Sequence, residues 1–169
     1  MTGPLTIDIV TRTDGWRAAA DAADTIARRA ARAAWRGAGS GPRAAEVSIV
    51  FGDDALVRRL NAEYRGQDKA TNVLSFPAGD ETGPDSTPRL LGDIVLAHQT
   101  VAREAREQGK TVPDHVAHLC VHGLLHLLGH DHRDDAAAAA MEALETAILA
   151  QLGIADPYAR ASAAMEQDA

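Results

Sequence analysis

Histidine spacing is the feature of this sequence with the clearest chemical meaning. Six of the seven histidines lie between residues 115 and 132. His122 and His126 are four residues apart, a separation that lets two imidazoles on adjacent helical turns reach one metal ion. Gly129 is expected to end the helix, so that the chain can turn back and bring His132 to the same ion. The spacing therefore predicts a three-histidine metal centre.

The donor set of this centre favours zinc, with nickel or copper as alternatives. Three protein ligands leave one position open for water, which is typical of a catalytic site, whereas closure by His118 or His130 would indicate a structural one. The spacing is also that of the metzincin proteases, but Gly123 stands where they have a glutamate as general base. Because that glutamate is missing, we expect one zinc ion per chain to activate the water itself.

The segment that carries the histidines is predicted to be a buried helix. A stripe of about 80° on its helical wheel holds four imidazoles, those of His115, His118, His122 and His126. Apolar side chains cover most of the remaining circumference, and Cys120 is expected to pack among them. Unpaired buried imidazoles are unfavourable, so the stripe must face a cleft or a partner.

The rest of the chain predicts an α+β fold. Alternating apolar residues predict strands at 5–11, 45–51, 72–76 and 90–96. Apolar periodicity predicts helices at 14–36, 53–66, 98–108, 114–128 and 135–151, the second of which is expected to bury Leu56, Val57, Leu60 and Tyr64. A loop at 78–88 joins the last two strands and suggests a hairpin, so the sheet should be mixed.

These elements predict one domain over residues 1–156, followed by a flexible tail at 157–169. We expect a small mixed four-stranded sheet packed against about five helices, with a histidine-bearing helix that leads into a metal-binding turn. The length of 169 residues and the 46% apolar content suit a single globular domain. The single cysteine, the beginning of the chain and the lack of a long apolar run favour a cytoplasmic protein without membrane contact.

Charge and aromatic content limit the class of partner. The net charge of −7 disfavours a bulk polyanion-binding protein, and aromatic residues make up only 4%. Residues 11–69 nevertheless contain eleven Lys and Arg against eight Asp and Glu. An anionic partner would therefore meet a local basic patch in the first half of the chain.

Several segments resemble, in order, the motifs of the YbeY family of bacterial metal-dependent endoribonucleases. They are residues 64–77 (YRGQDKATNVLSFP), 91–95 (LGDIV) and 122–132 (HGLLHLLGHDH), followed by Glu142, Glu145, Leu152 and Gly153. The resemblance spans most of residues 45–158, and its fold, a small mixed sheet against helices, agrees with the prediction above. One difference is His130, where the family commonly has tyrosine.

The resemblance implies specific roles for these residues. His122, His126 and His132 would be the metal ligands, and Arg65 the functional arginine, whose planar charged group suits a phosphodiester. Further candidates for substrate contacts are Lys69 and Asn72, which could hold a neighbouring phosphate, together with His118 and His130. The candidates for tracking an RNA backbone are Arg28, Arg29, Arg32, Arg58 and Arg59.

The implied activity is single-strand-specific endoribonuclease cleavage in rRNA maturation and ribosome quality control. The implied partners are rRNA and, in addition, ribosomal subunit proteins or assembly GTPases. Two alternatives stay open. One is a non-catalytic ribosome assembly factor that a metal stabilises, and the other, disfavoured by Gly123, is a zinc peptidase.

Overall fold

The computed structural model describes residues 2–39, 41–79 and 87–159, without the side chains of residues 17–20. Within these ranges the chain forms four strands and five α-helices. In chain order they are β1 (Leu5–Thr11), a 3-10 helix (Asp14–Ala19), α1 (Ala20–Gly37), β2 (Ala45–Gly52), α2 (Asp54–Arg65), β3 (Val73–Pro77), β4 (Arg89–Ala97), α3 (His98–Glu107), α4 (Val112–Leu127) and α5 (Asp135–Gln151). The predicted α+β class is confirmed.

The four strands form one mixed sheet in the order β1-β2-β4-β3. β1, β2 and β4 are parallel, and β3 runs antiparallel to β4, so the predicted hairpin is confirmed. Gly92 in β4 has φ 133°, and a Cβ there would lie 2.0 Å from the carbonyl oxygen of Phe76, so only glycine fits. Of the loop predicted at 78–88, residues 80–86 lie outside the described residues. β3 is an edge strand, which matters for the site below.

Two hydrophobic clusters cover the two faces of the sheet. In β4, Ile94 and Leu96 belong to the larger cluster, which includes most of α4 and the alanine face of α1. Val95 and Ala97 point the other way and pack with Val57 of α2 in the smaller cluster. α4 is therefore held between the sheet and the surrounding helices, which makes it a rigid support for side chains at its end.

The first predicted helix is wrong in one respect, because its first turns form a separate 3-10 helix at Asp14–Ala19. Trp16 is 1% exposed, packs its ring 4.8 Å from that of Phe51 and donates a hydrogen bond from Nε1 to the carbonyl oxygen of Gly52. These contacts tie the segment to the end of β2, and α1 then begins at Ala20.

The predicted inner face of α2 is also partly wrong. Tyr64 is 69% exposed, in the last turn of α2, which ends at Arg65. Asn61 is buried instead, and its Nδ2 donates to the carbonyl oxygen of Lys69. Tyr64 keeps one aromatic neighbour, Phe76, at 5.4 Å between ring centroids.

The end of the described chain packs against α5. The predicted flexible tail begins at residue 157, but Tyr158 hydrogen-bonds to Glu145 of α5. Residues 160–169 lie outside the described residues. No helix in the described part of the chain combines the length and apolar character that crossing a bilayer requires.

Candidate metal centre

The three predicted ligands lie together at the carboxyl end of α4. His122 and His126 project from consecutive turns, and His132 follows in the turn after the helix. One ring nitrogen from each lies within 4.8 Å of the others, and within the described residues this is the one group of metal-binding side chains. The ring centroids are 4.6, 4.9 and 5.1 Å apart. Such a group can hold a single metal ion.

The turn that brings His132 back depends on Gly129, which has φ 100°. Its backbone N–H donates to the carbonyl oxygen of His126, and that of His130 donates to the carbonyl oxygen of Leu125, which closes the end of α4. Beyond the turn, the Asp131 carboxylate pairs with the side chain of Arg133 at 2.7 Å. The chain is thus reversed within a few residues, as the spacing predicted.

A buried carboxylate orients the first ligand. Glu145 of α5 is 0% exposed, and its Oε1 accepts a hydrogen bond from Nδ1 of His122 at 2.6 Å. Its Oε2 accepts from Nε2 of His118 at 3.0 Å and from the hydroxyl of Tyr158. Because Nδ1 of His122 carries the proton, its Nε2 has a lone pair free for a metal.

The charge states in the centre also suit metal binding. Burial alone would raise the pKa of Glu145, but the hydrogen bonds from His118, His122 and Tyr158 outweigh it and lower the pKa to about 2. Burial, followed by the neighbouring His122 and His132, lowers the pKa of His126 to about 4. Glu145 is therefore ionised and His126 neutral at pH 7, the forms that a metal centre needs.

An open cleft of about 330 Å³ lies beside the ligands. It is lined by Arg65, Thr71, Asn72, Val73, Ser75, Pro77, His122, His126 and Leu127. Alternate residues of β3 form one wall, because successive side chains of a strand point to opposite faces. Arg65 reaches over this edge strand, where its Nη2 lies 3.4 Å from the carbonyl oxygen of Ser75, and its positive charge helps to lower the pKa of His126. The cleft thus combines three imidazoles that could hold a metal ion with the positive charge of Arg65.

Neighbouring side chains pack closely around Gly123, the position at which the metzincin proteases have their catalytic glutamate. Gly123 is buried, and a Cβ there would lie 3.0 Å from Cγ2 of Ile94 and 3.1 Å from Oγ of Ser75. Its carbonyl oxygen accepts a hydrogen bond from Ser75 at 3.2 Å. A longer side chain would press against Ile94 and Ser75, so these neighbours would have to shift to admit a glutamate.

Comparison with known proteins decides the family. The family model described as Endoribonuclease YbeY matches residues 11–153. The chain belongs to the endoribonuclease YbeY family. It is 50% identical over 157 residues to the Endoribonuclease YbeY of a Bradyrhizobium species, with 91% of this chain and 92% of the relative covered. It is 51% identical over 155 residues to that of a Chelativorans species, with 92% and 94% covered. The family predicted from the motifs is confirmed.

A solved structure supports the fold. The solution structure of TM1509 from Thermotoga maritima matches with a TM-score of 0.59 over 97% of each chain. The two sequences are 21% identical, so the likeness concerns the fold.

The structure places the other predicted site residues of this YbeY-family chain at different distances from the cleft. Asn72 lines it, whereas Lys69 and His130 are absent from its described lining. His118 lies behind the ligands, where it contacts Glu145 and Tyr158. Cys120 is fully buried, and burial raises the pKa of its thiol to about 12, in line with a packing role.

Two of the five arginines predicted to follow an RNA backbone form ion pairs within the protein. Arg28 pairs with Asp24 at 2.6 Å and donates to the carbonyl oxygen of Ile7. Arg58 pairs with Asp68 at 2.7 Å, and the hydrogen bond from this guanidinium lowers the pKa of the Asp68 carboxyl. These two arginines are therefore already partnered, which weakens the prediction that they follow a nucleic-acid backbone.

Glu145 lies at the candidate centre, although its sequence position alone suggested no role for it. It shares one face of α5 with the buried Met141, Ile148 and Leu149, at the spacing of an amphipathic helix. A carboxylate on a core-facing stripe needs hydrogen-bond donors, and a metal-binding histidine needs an acceptor for its second nitrogen. These two requirements together could have identified Glu145.

Proposed function

We propose that this chain is a zinc-dependent endoribonuclease that cleaves single-stranded RNA in rRNA maturation and ribosome quality control in the cytoplasm. The observation that carries the proposal is the convergence of His122, His126 and His132 at a cleft that also contains Arg65. Membership in the endoribonuclease YbeY family supports RNA as the substrate.

The donor set fits a zinc ion. Three imidazoles in reach of one another, with one of them oriented by a buried carboxylate, are the ligands and support that zinc prefers. Zinc bound there would supply Lewis acidity and an activated water at neutral pH. We assign catalytic roles to His122, as an oriented ligand, and to Arg65.

The protein's own groups prepare the cleft for a phosphodiester. Arg65 presents a charged planar fork beside the ligands, where negative charge develops on phosphate oxygens during cleavage. Glu145 keeps the His122 ring in one tautomer and one orientation. Because Glu145 is already ionised at pH 7, the His122 ring is oriented before the substrate arrives.

The test pairs metal analysis with RNA cleavage on the same sample. In His126→Ala, one ligand is lost, so both the bound zinc and the cleavage of a single-stranded RNA should disappear. His98→Ala is a matched control, since His98 lies outside the described cleft lining. Cleavage that persists in metal-free His126→Ala protein would refute the proposed site.

A metal-stabilised assembly factor is the second candidate, because the three ligands connect α4 to the following turn. In that case chelation would lower the melting temperature, while ribosome binding would survive in variants that lack nuclease activity. Ribosomal subunit proteins and assembly GTPases are the proposed partners under either function. The zinc peptidase is disfavoured by the packing of Gly123, and a casein digest with and without chelator tests it.

A further inference from the structure

The side chain of Asn72 is held in one orientation. Its Nδ2 donates a hydrogen bond to Oε1 of Glu104 on α3, at 2.9 Å. A carboxylate oxygen only accepts hydrogen bonds, so the amide nitrogen, and not the amide oxygen, must face Glu104. The donor of Asn72 is therefore committed inside the protein.

Two further contacts make this arrangement rigid. Nε2 of His115, whose side chain is 3% exposed, also hydrogen-bonds to Oε1 of Glu104 at 2.9 Å. The backbone carbonyl of Asn72 accepts from the N–H of Ala97 at 3.0 Å, which fixes the main chain against the end of β4. Rotation of the Asn72 amide would break a charge-assisted hydrogen bond, so it is disfavoured.

The group that remains for a ligand is the amide oxygen. Asn72 lines the cleft with Arg65 and the ligands His122 and His126. Among the described residues, no donor forms a hydrogen bond to its Oδ1. This oxygen is also absent from the set of buried polar atoms that lack a partner, so a ligand can reach it. A hydrogen-bond acceptor repels a phosphate oxygen, which is also an acceptor, so Asn72 is unsuited to the phosphate contact that its sequence position suggested.

We propose that Asn72, positioned by Glu104, accepts a hydrogen bond from a ribose 2′-hydroxyl and so contributes to the choice of RNA over DNA. The inference rests on the proposed function, since it concerns a strand bound in the same cleft. The 2′-hydroxyl is the donor that distinguishes the two sugars, and every ribonucleotide carries it. Donors on bases vary from one nucleotide to the next.

The test is the ratio of two dissociation constants, for oligouridine and for oligodeoxyuridine of the same length. Fluorescence anisotropy with the zinc-loaded protein measures both, and gel electrophoresis of the same samples confirms that the strands stay intact. The wild-type protein should bind the ribose strand about three- to tenfold more tightly, the range expected for one hydrogen bond. In Asn72→Ala the ratio should fall close to one, through weaker ribose binding with unchanged deoxyribose binding.

Further variants separate positioning from folding. Glu104→Gln offers Asn72 either a donor or an acceptor, so the amide is no longer held one way and the ratio should also fall. Gln67→Ala removes an exposed amide outside the described cleft lining and should keep the wild-type ratio. A 2′-O-methyl strand, which lacks the donor, should bind like the deoxyribose strand. Both constants come from one protein sample, so partial unfolding does not change their ratio.

The outcomes distinguish this inference from the proposed function. An unchanged ratio in Asn72→Ala, or an equal loss of binding for both strands, would overturn the inference and leave the endoribonuclease proposal intact. A wild-type ratio retained in Glu104→Gln would overturn the positioning role of Glu104. Failure of the wild-type protein to bind either strand would overturn both proposals.

Discussion

Replacing Glu145 with glutamine tests how the metal centre is supported. The substitution preserves shape but exchanges one acceptor oxygen for a donor nitrogen. If the amide oxygen faces His122, the nitrogen meets Nε2 of His118 and the hydroxyl of Tyr158, which both donate to Glu145 in the wild type. If the nitrogen faces His122, it stabilises the tautomer whose proton lies at the metal-binding atom. Either orientation is unfavourable.

The substitution should therefore weaken metal binding and destabilise the metal-free protein. The loss of an outer carboxylate that orients a ligand typically lowers metal affinity 10- to 100-fold. For the metal-free chain, the difference between the ordinary Glu145 pKa of 4.5 and about 2 corresponds to about 3 kcal/mol of unfolding free energy at pH 7. A loss of that size would lower the melting temperature by about 6 to 12 °C.

The effect on stability should depend on pH. Because the pKa of Glu145 is lowered in the folded chain, its stabilising contribution is complete above pH 4.5 and is lost as the pH falls towards 2. The difference in unfolding free energy between the metal-free wild type and Glu145→Gln should therefore shrink as the pH falls from 4.5 towards 2.

Zinc titration with a competing chelator and urea unfolding of the metal-free proteins measure the two quantities. Glu142→Gln is the matched control, because Glu142 lies one turn earlier on α5 and, within the described residues, its carboxylate is outside the metal cluster. If Glu145→Gln and Glu142→Gln have the same zinc affinity and the same stability, the assigned role of Glu145 is wrong.

Three other substitutions probe the remaining parts of the site. Arg65→Ala should lower kcat for RNA cleavage about 100- to 1000-fold with unchanged zinc content. Arg106→Ala on α3 should match the wild type, and equal losses of kcat in the two variants would refute the role of Arg65. Gly123→Ala should reduce the free energy of unfolding in urea by about 1 kcal/mol, because crowding of its Cβ by Ile94 and Ser75 outweighs the helix stability that alanine adds. An unchanged midpoint would contradict this. Tyr158→Phe removes one hydrogen-bond donor to Glu145 and should lower the free energy of unfolding by about 1 to 2 kcal/mol in thermal melts. Tyr64→Phe changes an exposed side chain and should not, so equal melting temperatures of the two variants would argue against the Tyr158 contact.

The clustering of the three histidines and most elements could be predicted because their signals are local. His122 and His126 lie at a spacing that one helix converts directly into proximity, and Gly129 allows the turn that returns His132. The strand patterns at 72–76 and 90–96 and the single loop that joins them likewise predicted an antiparallel pair. In each case, the residues that matter lie within about 25 positions of one another in the chain.

Contacts between elements that are distant in the chain were decided by tertiary packing. Glu145 contacts His122, which is 23 residues away in the chain, and Asn72 contacts Glu104, which is 32 residues away. These contacts form because α5 and α3 both pack beside the cleft. Tyr64 shows the same limit, because helical spacing placed it on the inner face of α2, whereas in the fold it is 69% exposed beside Phe76. Periodicity tells which face of a helix is apolar, but only docking determines what that face meets. The sequence by itself thus determined which three histidines come together, and the fold decided how their rings, and the Asn72 amide beside them, are oriented.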